Sequence, residues 1–461
     1  MEKIISALTK IVGIENVVTD EQKTQWAKDY TKAFKPDPGP IVFPESTKQV
    51  SEILKFCYQN EISVVPSGGR TGLSGGAVAT NKEVVLSTRR MTKIFEVNKV
   101  EKTAHVQAGV VTKDLQRIAS ENNLYFPVDF ASSGSSHIGG NISTNAGGIK
   151  VIRYGLMRQW VLGLEVVLAD GTILNMKNAC IKNNTGYDLN QLFIGSEGTL
   201  GIVTEALMKL TTPPYELQVS LFGIPSLEKI TELFTLTQEM RLRLTAYEFF
   251  TQFGLLRVQE HTKLQNPLSQ LHPFYALVET EKETAEDEKK LEKFIEIALE
   301  KGLVTDGVFA QNSGQAKNFW GLRENISESM DALTVPHKND ISIPISKLTR
   351  FCGELEKLIG EKYPGFEVVL FGHIGDGNLH VNFVKPEKMS KEEFFKFAHQ
   401  ADESMFELVQ KFGGSISAEH GVGLTKKDFL HYTRSPEELR VMKAIKGVLD
   451  TKGIMNPGKL F

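Results

Sequence analysis

The rhythm of apolar positions changes near residue 212. From about residue 40 up to that point, short β-branched runs alternate with glycine-rich turns. VSEILKFCYQN has a helical period, ISVVP and EVVLS read as extended, and TAHVQAGV alternates apolar with polar. TTPPY, Thr211 to Tyr215, places two prolines where they fix φ and remove backbone donors, which suits a boundary between domains. Beyond it the helical stretches lengthen. SLEKITELFTLTQEM, EDEKKLEKFIEIALEKG and KEEFFKFAHQADESMFELVQKFG are separated by FYALVE, DISIPI, FEVVLFG and LHVNFV. That alternation predicts a sheet with helices packed on one face. At the amino terminus Ile4, Leu8, Ile11 and Val12 share one face of a helix. The chain ends in SPEELRVMKAIKGVLD, a helix opened by a Ser-Pro cap pair, followed by TKGIMNPGKLF. The expected fold class is α+β.

Length then sets the number of cores. With 461 residues the chain exceeds what one hydrophobic core supports, so two or three domains are expected. Its 39 glycines are concentrated in a few stretches, which makes them candidates for function. A formal charge of -3 gives no electrostatic footprint for nucleic acid or for an anionic membrane surface, leaving small molecules as the expected partners. The charge-rich ETEKETAEDEKK reads as the solvated start of a helix. Three cysteines, far apart and without a CxxC, fit a reducing compartment. The amino terminus lacks a signal-peptide core and the Arg-rich look of a transit peptide, and no run of about 18 apolar residues offers a transmembrane segment. A cytoplasmic enzyme is the expectation.

The first glycine cluster, PSGGRTGLSGGAVA (Pro66 to Ala79), follows the extended ISVV and has five glycines between Gly68 and Gly76. Backbone N–H groups can surround a phosphate only where no Cβ blocks the approach and φ can be positive. The run fits a pyrophosphate, yet it is neither GxxxxGK[ST] nor GxGxxG. A second cluster, SSGSSHIGGNISTNAGG (Ser132 to Gly148), adds five glycines with Ser, Thr and Asn side chains able to bond phosphate or ribose. A third, NNTGYDLNQLFIGSEGTLGIVTEA, sets Gly195, Gly198 and Gly201 around Glu197 and runs into a strand. Two separate small-residue loops in one domain argue for an extended dinucleotide.

FGHIGDGNLHVN, 371 to 382, reads as a hairpin: FEVVLFG is strand-like, GDG suits an Asp-Gly turn, and NLHVNFV alternates. Leu379, Val381 and Phe383 take one face; Asn378, His380 and Asn382 take the other. His380 stands where the third glycine of a dinucleotide motif would be, so this is no phosphate turn. Downstream, SAEHGVG sets Glu419 beside His420. Two histidines and a carboxylate suffice for a divalent zinc, manganese or iron with open positions, although spacing alone leaves a structural role equally open. If both Glu419 and His420 serve one site the chain must bend, which Gly421 and Gly423 permit. In QAKNFWGLRENISESMDAL, Phe319, Leu322, Ile326 and Met330 form an apolar stripe, with Arg323 and Ser327 four apart at its seam. Lys338 precedes a strand.

Taken in this order, the glycine loops resemble the flavin-binding domain of the vanillyl-alcohol oxidase family of FAD oxidoreductases. GHIGDGNLHVN, SAEHGVG and the terminal GIMNPGKLF look like the branch that oxidises D-2-hydroxy acids, which includes D-2-hydroxyglutarate and D-lactate dehydrogenases and the glycolate oxidase catalytic subunit. The resemblance implies a two-part FAD-binding domain (1–212), an α+β cap domain with an antiparallel sheet (213–420), and a C-terminal segment (421–461) returning to the FAD domain. It implies that Pro66, Ser67, Gly68, Gly69, Arg70, Thr71, Gly72, Leu73, Ser74 and Gly76 line the pyrophosphate. Ser132, Gly134, Gly139, Asn141, Thr144, Asn145 and Gly147 would flank the flavin, Glu197, Ile202 and Val203 the adenosine end, and Asn456 the isoalloxazine edge. Arg70 stands where some relatives attach flavin through a histidine, so non-covalent FAD is implied. His373, His380 and Glu419 are implied as metal ligands, zinc foremost, and His420 as general base. Arg323, Ser327, Lys338 and Asn382 are implied in substrate binding, and two cations beyond the 2-hydroxy acid end favour a dicarboxylate such as D-2-hydroxyglutarate. Electrons would pass to an acceptor such as a quinone or an electron-transferring flavoprotein, and a homodimer is compatible. The reading of a different class is a non-catalytic nucleotide- and metal-binding protein.

Overall fold

Inside TTPPY, between Pro213 and Pro214, the chain leaves one compact unit for another. The computed structural model describes residues 1–31 and 33–461. The first unit comprises Met1–Gly148, Gly155–Pro213 and Glu419–Phe461; the second comprises Ile149–Tyr154 and Pro214–Ala418. The sequence signalled the proline boundary, and it did not signal the excursion at 149–154.

The first unit has two sheets. Strands β1 (Val17–Val18), β2 (Ile41–Val42), β3 (Val64–Ser67) and β4 (Val84–Ser87) run in the order β1-β2-β4-β3, with β2, β4 and β3 parallel. The Thr47–Gln59 helix is opened by Ser46, whose side chain accepts from the Gln49 N–H, and it buries Val50, Ile53, Leu54 and Cys57 against Val64, Val84 and Leu86. The second sheet is antiparallel: β5 (Ile94–Asn98), β6 (Thr103–Gln107), β7 (Val161–Val167), β8 (Ile173–Asn175) and β9 (Ile202–Lys209), in the order β5-β6-β9-β7-β8. The Thr112–Glu121 and Ile138–Thr144 helices bury Leu115, Ala119, Ile138 and Ile142 in its core. The C-terminal segment returns to β3, where Val64 donates its N–H to Ile454 O (2.8 Å) and Asn456 donates to Val64 O (2.8 Å).

The second unit is built on seven strands: β10 (Glu216–Ile224), β11 (Leu244–Thr251), β12 (Phe274–Lys282), β13 (Asp306–Phe309), β14 (Pro336–Ser342), β15 (Glu367–His373) and β16 (Asn378–Val384). Their order is β13-β10-β12-β11-β15-β16-β14, every pair antiparallel. Helices cover both faces, not the one face expected. Leu255, Leu322, Ile326 and Met330 pack with Phe250 and Leu277 on one side; on the other, Tyr247 donates its hydroxyl to Ile230 O in the Leu227–Glu239 helix. The cause is that neighbouring residues of opposite parity, Phe249 with Phe250 and Leu277 with Val278, are all buried, so neither side of these strands can face water. The stretch expected as one helix through Arg323 and Ser327 is two, Ser313–Glu324 and Ile326–Leu333. Between them Asn325 donates its side-chain amide to Gly321 O (2.8 Å), a local bond that competes with helix continuation. Lys150 pairs with Glu279, and Arg153 (3.0 Å) and Tyr154 (3.3 Å) with Glu281, which fixes the 149–154 excursion to β12. Among the described residues no helix is long and apolar enough to cross a membrane.

Candidate active site

A cleft in the first unit is walled by the three glycine-rich stretches. Pro66 to Gly72, Ser74 and Gly76 form one side, Gly139, Asn141 and Thr144 another, and Glu197, Ile202 and Val203 a third. The loops approach because side chains are missing. A Cβ on Gly69 would collide with the Ser135 carbonyl oxygen, and one on Gly139 would lie 2.6 Å from the Ala108 Cβ. Arg70 adopts φ 58° and stacks on Trp26 with its guanidinium carbon 4.3 Å from the ring centre. Its Nη1 and the Ser67 Oγ are buried without a hydrogen-bond partner among the described residues. Buried donors left in that state fit an anionic ligand lying against β3.

The same cleft holds two titratable groups that the sequence did not single out. Burial, with Arg70 and Arg89 nearby, lowers His137 to about 4, so its ring is neutral near pH 7. Burial raises Asp29 to about 6, against the backbone donors Thr31 and Gly75. Leu73, Ser132, Gly134, Asn145 and Gly147 stand outside the lining of the cleft. Asn145 instead holds a left-handed helix end and accepts the Arg158 N–H at 3.0 Å. Glu197 is a wall with its carboxylate engaged: its oxygens accept from Val422 N (2.7 Å) and Gly423 N (2.8 Å). Burial raises its pKa and these donors pull against that rise. Asn456 donates to Gly76 O (3.0 Å) and Glu197 O (2.7 Å), tying the returning segment to the cleft wall.

In the second unit, strand register gathers a polar row on one sheet face. Directly opposed residues of antiparallel strands share a face, and the pairs are Glu248 with His373, His373 with Asn378, Asp340 with His380, and Lys338 with Asn382. The hairpin expected at 371–382 is present. Its connection is a 3-10 turn, Ile374–Asp376, closed by Gly377 at φ 77°. The His373 and His380 ring centres are 5.5 Å apart. His373 Nδ1 bonds Glu248 Oε1 at 2.7 Å, and Arg323 Nη2 lies 2.9 Å from Glu248 Oε2. Burial would push the Glu248 carboxyl up, but His373 and Arg323 outweigh it and hold its pKa below the ordinary value. Arg323 is buried over Phe371 (4.8 Å), and its Nε and Nη2 lack hydrogen-bond alignment with any described residue, the Glu248 contact included.

Lys338 and Ser327, expected to act together, do meet: the ammonium donates to Ser327 Oγ (2.9 Å) and to Asp331 (2.8 Å). Asn382, buried, reaches Val369 O at 3.4 Å. Asp340 accepts from Asn378 (2.7 Å) and from Ala418 N (3.1 Å), the residue before Glu419 in the chain. Glu419 and His420 lie in the first unit with Oε1 and Nε2 3.8 Å apart, followed by Gly421 at φ 82° and Gly423 at φ 50°, the bend their shared use requires. Sequence reasoning missed Glu248 and Asp340. Glu248 had a signal, a lone charge in the apolar run LTAYEFFT.

Both units of the chain have counterparts in known proteins. A profile of the FAD binding domain matches residues 38–177, and one of the C-terminal domain of FAD linked oxidases matches residues 214–460. A D-2-hydroxyglutarate dehydrogenase of Stutzerimonas stutzeri is 50% identical over 459 residues, covering 99% of this chain and 98% of that protein. One from Xanthomonas citri pv. viticola is 46% identical over 436 residues, covering 95% and 92%. Among solved structures, p-cresol methylhydroxylase with substrate bound superposes with a TM-score of 0.81 at 15% identity, covering 100% of this chain and 96% of that one. An alkyldihydroxyacetonephosphate synthase gives 0.76 at 17% identity, covering 99% and 85%; such distant likenesses speak for the fold alone. Within that vanillyl-alcohol oxidase fold, the chain belongs to the FAD-linked oxidase family, in the branch of the D-2-hydroxyglutarate dehydrogenases.

Proposed function

We propose that the protein oxidises D-2-hydroxyglutarate, or a closely similar 2-hydroxy dicarboxylate, to the 2-oxo acid, using non-covalently bound FAD and one divalent metal. The observation that carries the substrate class is the cationic end of the sheet face. Arg323 is buried with Nε lacking an acceptor and Nη2 2.9 Å from Glu248, and Lys338, paired with Asp331, stands beside Ser327 at the Asn382 position of the register. A guanidinium in that state favours a carboxylate, which it can grip with two parallel bonds.

FAD bound in the glycine-walled cleft supplies the hydride acceptor for the carbon bearing the hydroxyl. His373, His380 and Glu419 would hold a divalent ion, whose positive charge would lower a hydroxyl pKa, as zinc brings water from about 15.7 to about 7. Glu248 holds the His373 ring by Nδ1, which fixes the ring plane and would leave Nε2 as the nitrogen for a metal. His420 takes the hydroxyl proton onto an imidazole nitrogen. Asn382 orients the 2-hydroxy acid end from β16, and Arg323, Ser327 and Lys338 receive the distal carboxylate. The reduced enzyme passes its electrons to a separate acceptor, a quinone or an electron-transferring flavoprotein.

Anaerobic mixing with a panel of D- and L-2-hydroxy acids tests this reading. D-2-hydroxyglutarate should bleach the flavin fastest, and Lys338→Ala should raise KM for it more than for D-lactate. A higher kcat/KM on D-lactate, or equal weakening of both substrates by Lys338→Ala, would refute the dicarboxylate assignment.

A further inference from the structure

The edge strand β14 presents Lys338 and Asp340 to the polar row, and its opposite face carries a separate cluster. His337 and Asn339 point from that face toward the Lys391–Phe412 helix, where Asp402 is buried and His399 lies one turn earlier. His337 Nε2 stands 2.8 Å from Asp402 Oδ2, His399 Nδ1 stands 3.6 Å from the same oxygen, and Asn339 Nδ2 donates to Oδ1 at 2.6 Å. The two imidazole rings meet edge to face with centres 5.1 Å apart. Among the described residues, the ion-pair partners of this carboxylate are these two histidines; no lysine or arginine reaches it.

We propose that His337, His399 and Asp402 form a second divalent-metal site, of zinc type, which clamps the edge strand to the helix. All three ligand atoms lie within 4.8 Å of one another. Bonds of about 2.0–2.1 Å in a tetrahedral zinc site would set such atoms roughly 3.3 Å apart, between the two distances found here. Two of the three separations are thus already within about 0.5 Å of that spacing, and the third is within 4.8 Å. Neutral imidazoles and one carboxylate are the donor set that suits zinc and its late-transition neighbours rather than magnesium or calcium. Asn339, bonded to Oδ1, leaves Oδ2 as the ligating oxygen and fixes its direction. His399, with a side chain 67% exposed, gives the ion an entry path and leaves water to complete the shell. A hydrogen-bonded pair between strand and helix accounts for His337 and Asp402 alone. It does not account for a second imidazole on the same carboxylate oxygen.

The test uses flavin-loaded protein stripped by chelator, then equilibrated with zinc at micromolar free concentration, with bound zinc per chain counted by mass spectrometry. His399→Ala, an exposed truncation, should hold one equivalent fewer than wild type, with unchanged turnover once zinc saturates. Asp402→Asn keeps a hydrogen-bonding side chain and should lose the same equivalent; thermal melts check that both variants fold. Glu419→Gln should lose only the other equivalent. Equal zinc content in wild type and His399→Ala, or an equivalent that fills only at millimolar zinc, overturns the second site. If wild type holds a single equivalent that His399→Ala removes and Glu419→Gln does not, this site stands and the proposed catalytic metal falls.

Discussion

The glycine-walled cleft and the polar sheet face solve the problem of holding a ligand by opposite means. The cleft works by subtraction: Gly69 lets two loops, and Gly139 a helix and a strand end, approach so closely that any side chain would be in the way, and a ligand there meets backbone and a few buried donors. The sheet face works by addition, since strand register brings Glu248, His373, His380, Asn382 and Lys338 onto one side as side chains. A loop site tolerates changes in side chains that point away but no added Cβ. A register site depends on the strand pairing and on the functional groups that the pairing aligns. The two halves should therefore fail differently.

The largest effect is expected on the proposed proton transfer, at His420. His420→Ala should lower kcat by 10²–10⁴-fold, the usual worth of a general base, while the protein stays yellow; flavin reduction in single turnover gives the number. On the loop side, Gly69→Ala should weaken FAD roughly 10–100-fold through a backbone collision, as overpacking costs about 1–3 kcal/mol. Dialysis followed by absorbance would reveal it, and full retention of flavin would break the subtraction account. Glu248→Gln should lower metal affinity about 10–100-fold and leave FAD binding untouched, because it alters what the metal-side His373 rests on. Metal content against free zinc measures this, and a loss of flavin instead would show that the halves are not separable.

The smallest effect concerns pH. The folded pKa of His137, about 4, lies below its ordinary 6.5, so its contribution is present above 6.5 and is lost as pH falls toward 4. At full protonation this destabilises flavin-free protein by an amount on the order of 3 kcal/mol. His137→Asn should flatten that part of the stability profile, measured as melting temperature against pH. An unchanged slope would mean the ring does not titrate there.

What was legible in the sequence follows the same division. Glycine clusters are local, so the three cleft walls could be read directly, and alternation in NLHVNFV placed His380 and Asn382 together. Partners set by tertiary structure could not. Nothing near Glu197 signals that its carboxylate would hold the backbone of residues 225 positions away. The two-sided burial of β11 and β12 looks, in a single sequence, like any short apolar run. Asn325 broke a stripe whose period continues through it, because a side-chain amide bonded to Gly321 leaves the apolar pattern unaltered. Glu248 could have been found, since a charge buried in an apolar strand requires a partner.

The return of residues 454–456 to β3 also dictates a schedule of assembly. Val64 and the first glycine loop emerge from the ribosome hundreds of residues before the segment that hydrogen-bonds them. Throughout that interval one edge of β3 lacks its neighbour, and Asn456 has yet to join Gly76 to Glu197. The wall that joins the first and third glycine stretches is therefore completed only when this segment arrives.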